Sequence, residues 1–338
     1  MDFNFNIAYC WDKSLHKGIT QLDKYYKNSD YYNSLVDGKP DRDEFIYAGI
    51  LGNSHLYFQL APGRFGFDKI EKTTRPWIKT HGKYCALIGN VISRKLQYPI
   101  DQEKILLWRG YIIKPNTFPY FKSHFLIMSS DFDCQNLSIR GSQQIVNLEP
   151  RVLLDMFDFY ELRKQQGFLF YNGLIGNSQL QFHFHYTTKK SILKRILNDI
   201  KSMEYKNFKT KIGTNITTFK SDKCPCYNGT VFYGNKEQVA KDMFIFVKRV
   251  NEIKYKYNII IIPTKNKQKF QAIVYIRQHV GKDVRDEITA FGDSGANYGN
   301  FVLKEVDDKL LESGLLEEQL FKYCKASYVK SKKKYFDL

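Results

Sequence analysis

The chain has 338 residues, 43% of them hydrophobic and 16% aromatic; that supports one large domain or two moderate ones and excludes an intrinsically disordered polymer. Its formal net charge of +17 fits either a solvated basic surface or a phosphate-rich partner: nucleotide, RNA or anionic lipid. The six cysteines are scattered from Cys10 to Cys324, which excludes a small disulfide-stapled scaffold and points to free thiols in a reducing compartment.

Residues 1–45 are polar and tyrosine-rich, with weak helical periodicity, and read as an N-terminal helical extension. No basic stretch followed by an apolar one opens the chain, and the longest aliphatic run, Ile259 to Ile262, is too short to span a bilayer. The expectation is a soluble, cytoplasmic protein with no membrane partner. A strand is predicted over residues 56–60, closed by Pro62-Gly63, and a long basic loop over residues 64–83. Residues 104–113 read as one strand and residues 124–129 as another, joined by the turn-rich segment Lys114-Pro115-Asn116-Thr117-Phe118-Pro119. Apolar residues at helical spacing predict a helix over 149–166, ended by Gly167. A short strand follows at 168–171, then a loop at 172–177.

Residues 181–187, Gln-Phe-His-Phe-His-Tyr-Thr, carry the clearest pattern in the chain. Strand side chains alternate between faces, so Gln181, His183, His185 and Thr187 share a polar face and Phe182, Phe184 and Tyr186 an apolar one. This predicts a half-buried strand with two of the chain's seven histidines side by side. Further helices are expected over 189–203, 236–255 and 307–325, strands over 257–263 and 270–278, a glycine-rich loop over 292–299 and a short segment over 300–304. Each half mixes strands with helices, so the predicted fold class is α+β. No Gly-x-Gly-x-x-Gly or Walker loop is present, which argues against those two phosphate-binding folds.

A histidine pair on one strand face suits a structural role, a zinc site or a histidine nucleophile. Zinc has weak support: no third ligand lies close in sequence, and only Cys85, Cys224 or His124 could reach in three dimensions. Cys224-Pro-Cys226 is not spaced like a zinc knuckle. The segment before the histidines favours phosphate chemistry. Phe170-Tyr171-Asn172-Gly173 and Leu174-Ile175-Gly176-Asn177-Ser178 form a small-residue loop in which backbone N–H groups can approach a phosphate. A neutral imidazole can attack phosphorus and split a nucleotidyl transfer into two easier steps.

These pieces resemble the histidine-triad superfamily, in its galactose-1-phosphate uridylyltransferase-like branch, which includes diadenosine tetraphosphate phosphorylases and GDP-hexose phosphorylases. The matching residues are Phe170-Tyr171-Asn172-Gly173, Gly176-Asn177-Ser178 and His183-Phe184-His185. Upstream, residues 114–119 followed by His124-Phe125-Leu126-Ile127-Met128 are similar to the family's Asn-x-Phe-Pro and His-Phe-Leu segments. Phe58-Gln59-Leu60-Ala61-Pro62-Gly63-Arg64 looks like a first nucleotide-contacting strand and loop.

The resemblance implies two histidine-triad-like halves, each an antiparallel sheet with helices: a catalytic half over residues 46–205 and a degenerate one over 206–326, followed by a basic tail over 327–338. It implies a nucleotidyltransferase or phosphorylase acting on a nucleoside diphosphate-sugar or dinucleoside polyphosphate through a nucleotidyl-histidine, with no required cofactor. Inorganic phosphate, a sugar phosphate or water would then resolve the intermediate, and a homodimer is common in the family. Counting from Asn172, His185 inherits the nucleophile's place, His183 the place of the first histidine, and Thr187 stands where the family has glutamine. Counting from Gly176-x-Ser178, His183 becomes the nucleophile, His185 replaces the glutamine and Gln181 the first histidine. The longer Phe-Tyr-Asn-Gly match favours the first register. Asn172, Gly176, Ser178, Gln181, Thr187, Asn116 and Arg64 are the expected nucleotide or phosphate contacts, Asn172 and Asn116 doubling as plain turn residues. His124, at the head of an apolar strand, reads as a structural histidine. The departure at Thr187 and the charge of +17 keep two other readings open, a catalytically weakened nucleotide- or RNA-binding relative and a zinc-dependent hydrolase.

Overall fold

The structure is a computed structural model. It describes residues 6–27, 45–51, 54–60, 104–116, 123–129, 148–173, 182–188, 193–194, 196–197, 205–209, 215–219, 229–278, 291–292, 300–303, 322, 326 and 328–329. Arg64, Gly176, Ser178, Gln181 and residues 293–299 of the glycine-rich loop lie outside these residues, as do most of the helices expected over 189–203 and 307–325.

In chain order the elements are β1 (Asn6–Tyr9), α1 (Asp12–Lys27), β2 (Phe45–Leu51), β3 (Ser54–Leu60), β4 (Lys104–Trp108), β5 (Tyr111–Pro115) and β6 (His124–Ser129). Then come α2 (Pro150–Leu162), β7 (Phe168–Asn172), β8 (His183–Thr187), β9 (Tyr205–Lys209), β10 (Asn215–Phe219) and β11 (Gly229–Gly234). The last are α3 (Lys236–Glu252), β12 (Lys256–Ile262), β13 (Phe270–Arg277), β14 (Phe291–Gly292), β15 (Asn300–Leu303) and β16 (Tyr328–Val329). The fold is α+β, and most strand pairs among the described residues are antiparallel. Two strand pairs depart from the expected antiparallel pattern: β1 with β4 and β15 with β3 are parallel.

Chain contacts define two compact units, each discontinuous in sequence. The first comprises residues 1–39, 62–145 and 178–188. Its strands run in the order β1-β4-β5-β6-β8. Residues 104–113, expected as one strand, form a hairpin instead. Arg109 (φ 45°) and Gly110 (φ 78°) both take the left-handed conformation that two-residue hairpin turns require. Arginine is not a turn-forming residue, so the turn is hidden in the sequence; Asp12, at the start of α1, holds it through the Arg109 guanidinium. Asp12 also accepts from Trp108 Nε1 at 2.8 Å, and Trp108 is fully buried. Leu15, Ile19 and Leu22 line the buried side of α1.

The second unit comprises residues 40–61, 146–177 and 189–338. Its larger sheet runs β7-β12-β13-β11-β10-β9, with β16 beside β13, and a smaller one runs β14-β15-β3-β2. β12 is buried along Tyr257–Ile262, which accounts for its unbroken isoleucine run. Helix α3 is capped by Asn235, whose side chain accepts from Gln238 N at 2.9 Å. It buries Val239, Met243, Phe246, Val247 and Val250, and Phe246 meets Phe232 edge-on with ring centroids 5.4 Å apart. Lys236 bridges α3 to α2 through Asp158 (2.6 Å) and Glu161 (3.1 Å). Burial opposes the Lys236 charge, but hydrogen bonds to both carboxylates outweigh that and raise its pKa. The expected helix over 149–166 is α2, and left-handed residues at Lys164, Gln165 and Gly167 end it.

Candidate functional site

The histidine strand is β8, and it is an inner strand in character. All five of its residues are buried, so the half-buried strand expected from alternation is corrected to one covered on both faces. Phe184 and Tyr186 are sealed in the apolar core, whereas His183 and His185 keep 4% and 5% of their surface open.

Register builds the histidine face. β8 runs antiparallel to β6, with His183 opposite Met128, His185 opposite Leu126 and Thr187 opposite His124. β6 in turn runs antiparallel to β5, with Met128 opposite Ile112 and Leu126 opposite Lys114. One residue beyond the ladder, Asn116 N donates to the carbonyl of His124 at 2.8 Å. Directly opposed residues project from the same side of a sheet. One face therefore carries His183, His185, Thr187, His124, Asn116 and Lys114 around Leu126 and Met128. The other carries Ile113, Phe125, Ile127, Phe184 and Tyr186, all buried.

Within this face the imidazoles touch. His124 Nε2 and His185 Nδ1 are 3.0 Å apart, a hydrogen bond that joins β6 to β8. The two rings have centroids 5.1 Å apart, tilted by 43°. His183 stands edge-on to His185 with centroids 4.8 Å apart. Asn116 Nδ2 lies 3.3 Å from His124 Nε2 and 3.4 Å from Nδ1, so it braces the ring from one side. Ser123, just before His124, has φ 62°, a left-handed conformation unusual for serine that turns the chain into β6. The chemical consequence is orientation. The bond to His124 holds the His185 ring through Nδ1 and leaves Nε2 at the opposite side of the ring.

Of the residues predicted from sequence, His183, His185, Thr187 and Asn116 come together on this face. Asn172 belongs to the other unit. There it ends β7, buried and opposite Asn258, which is also buried. Asn258 Oδ1 accepts from Gly173 N at 3.0 Å. A Cβ on Gly173 would fall 2.1 Å from the Tyr257 carbonyl oxygen, so this turn demands glycine. The Tyr257 hydroxyl is buried, which raises its pKa, and it accepts from Leu148 N at 3.2 Å.

Sequence reasoning missed His124 as a partner of His185. The alternation on β6 that pairs His124 with Leu126 and Met128 carried the signal. Among the described residues no group of three His, Cys, Asp or Glu side chains is placed to hold a metal ion. Cys85 and Cys224, named as distant ligands, lie outside the described residues.

No family model matches the sequence, and no curated protein does. Solved structures do. The yeast Ap4A phosphorylase Apa2 in complex with AMP superposes with a TM-score of 0.54 at 14% identity, over 89% of this chain and 94% of that one. Its complex with Ap4A gives 0.54 at 13% identity, over 94% and 98%. A third Apa2 structure gives 0.53 at 14% identity, over 90% and 92%. The chain thus has the fold of the yeast Ap4A phosphorylase Apa2.

Proposed function

We propose that the protein is a nucleotidyltransferase or phosphorylase acting on a dinucleoside polyphosphate, with His185 as the nucleophile. A nucleoside diphosphate-sugar is the second substrate class that the sequence resemblance allows. The bond between His124 Nε2 and His185 Nδ1 carries the proposal. It supports the register that makes His185, rather than His183, the nucleophile. The likeness to a phosphorylase crystallised with AMP and with Ap4A supports the substrate class.

In this mechanism His185 Nδ1–H donates to His124, and Nε2 attacks the α-phosphorus. A P–N bond forms, the P–O bond to the leaving phosphate breaks, and its electron pair departs on that oxygen. The imidazolium so formed is stabilised by the neutral His124 acceptor. Inorganic phosphate then attacks the same phosphorus, breaks the P–N bond and restores His185. His183 packs against the nucleophile and fixes its plane. Thr187 and Asn116 flank it, and Asn172, Gly176, Ser178, Gln181 and Arg64 are the further proposed contacts to phosphate or nucleotide. The cycle requires no cofactor, because imidazole and oriented donors supply the chemistry.

The test is turnover of Ap4A, GDP-sugars and capped RNA, each with and without phosphate, by the wild-type chain and by His185→Ala. Phosphate-dependent cleavage of Ap4A that His185→Ala abolishes is the expected result. No turnover of any of these, with salt-dependent RNA binding retained in His185→Ala, would replace the enzyme with the RNA-binding relative.

A further inference from the structure

One end of the larger sheet in the second unit brings two turns together. Ile261 pairs with Leu169 and Ile262 with Gln271, so β7 and β13 begin where β12 ends. Residues 163–167, which close α2, therefore meet residues 263–269, which join β12 to β13. Gln165, 5% exposed, ties the two turns. Its Nε2 donates to the carbonyls of Lys267 (2.9 Å) and Lys269 (3.3 Å), and its Oε1 accepts from Thr264 N at 3.4 Å. The second turn is also closed on itself. Lys269 N donates to the Asn266 carbonyl, Gln268 N to Asn266 Oδ1 and Thr264 Oγ1 to the Lys269 carbonyl, each at 3.0 Å.

This framework carries charge. Lys164, Lys265 and Lys267 are exposed and Lys269 partly so, and neither turn contains Asp or Glu. Of the nearby carboxylates, Asp158 and Glu161 are held by Lys236, and Glu237 opens α3. Among the described residues none of the four lysines is paired with a carboxylate. Fixing like charges side by side costs repulsion that a loose loop would relax, and the hydrogen bonds through Gln165 oppose that relaxation. Lysine-rich composition accounts for lysines on a surface; it does not account for a buried glutamine that grips their backbone. A polyanion offsets the repulsion. The exposed neighbours Gln166, Asn266 and Gln268 are amides, and the exposed large apolar residues Tyr9, Trp11 and Ile253 lie on other segments. A bilayer surface is held best when an apolar anchor joins the basic residues, and single-stranded nucleic acid when aromatic side chains stack on its bases. The phosphate backbone of a nucleic-acid helix needs neither.

We propose that residues 163–167 and 263–269 form a docking surface for the phosphate backbone of a base-paired nucleic acid, contacted by Lys164, Lys265, Lys267 and Lys269. It reads charge and shape rather than bases, so RNA and DNA helices share the chemistry. The surface lies wholly within the second unit and does not depend on His185 as the nucleophile.

The experiment is fluorescence anisotropy of the full chain with a labelled RNA hairpin and a DNA hairpin of the same sequence, across a salt series. Wild type is compared with Lys265→Ala/Lys267→Ala/Lys269→Ala. A second triple variant, Lys13→Ala/Lys17→Ala/Lys24→Ala, removes the same charge from exposed positions on α1. The turn variant is expected to bind about 10- to 100-fold more weakly at 0.1 M salt, with the slope of log affinity against log salt reduced by about 3. The α1 variant is expected to stay within about 3-fold of wild type, and His185→Ala to bind as wild type does. Such lysine-dependent binding of either hairpin upholds the proposal and identifies the helix. Equal losses in the two triple variants would mean diffuse attraction by net charge and overturn it. So would wild-type failure to bind either hairpin, or lysine-dependent binding confined to phosphatidylserine vesicles.

Discussion

The hydrogen bond between His185 and His124 orients the proposed nucleophile, and its removal has a specific signature. His124→Ala leaves His185 free to rotate and to place its proton on either nitrogen. The expected loss is about 100-fold in kcat, with KM within about 3-fold, because the defect lies in the attack rather than in substrate binding. Steady-state kinetics on Ap4A separates the two. Gly173 makes a purely structural prediction. Its Cβ-to-carbonyl approach of 2.1 Å cannot be relieved by a side-chain shift, so Gly173→Ala must move backbone and break the bond to Asn258. Chemical denaturation is expected to show about 3 kcal/mol of lost stability. At this scale the shared strand face of His183, His185 and Thr187 was legible, because alternation is local. The His124–His185 contact spans 61 residues of chain and depends on the β6–β8 register, which no local pattern specifies.

Among the elements, the β4–β5 hairpin shows why a boundary was lost. Residues 105–113 are apolar except at Arg109-Gly110, and the turn is stabilised from outside, by Asp12 of α1, rather than by its own residues. The Arg109 hydrogen bond, with help from Trp108, lowers the Asp12 pKa below its ordinary value of 3.8. A depressed carboxylate contributes stability above its unfolded pKa and loses it as pH falls through the folded one. Asp12→Ala should cost about 1–2 kcal/mol near neutral pH, mostly through the buried Trp108 N–H left without its acceptor. Because the Asp12 carboxylate is half-exposed, the charge itself adds little. Thermal unfolding of the two proteins should therefore show a gap that narrows, without closing, below about pH 4. Helix α3 offers a simpler check. Asn235→Ala removes the cap to Gln238 N, at an expected cost of about 1 kcal/mol. Helices α2 and α3 and the isoleucine strand were readable because their apolar spacing is strong. Strands β9 and β10, Tyr-Lys-Asn-Phe-Lys and Asn-Ile-Thr-Thr-Phe, carry too few apolar residues to stand out from a polar loop.

At the scale of the molecule, the net charge of +17 bears on binding rather than on fold. Nucleotide affinity is expected to fall with added salt in wild type and in His185→Ala alike, since the screened charges lie outside the reacting atoms. No described helix is long and apolar enough to cross a membrane. The α+β class was legible from composition and periodicity together; the division into two discontinuous units was not, because it depends on which distant segments pair. The central claim is covalent, and intact-mass spectrometry tests it directly. Wild-type protein mixed with Ap4A in the absence of phosphate should gain the mass of one AMP moiety. The adduct should be labile in acid, stable in base, located on His185 and discharged by added phosphate. An unmodified mass under these conditions, or the same adduct in His185→Ala, would contradict the account.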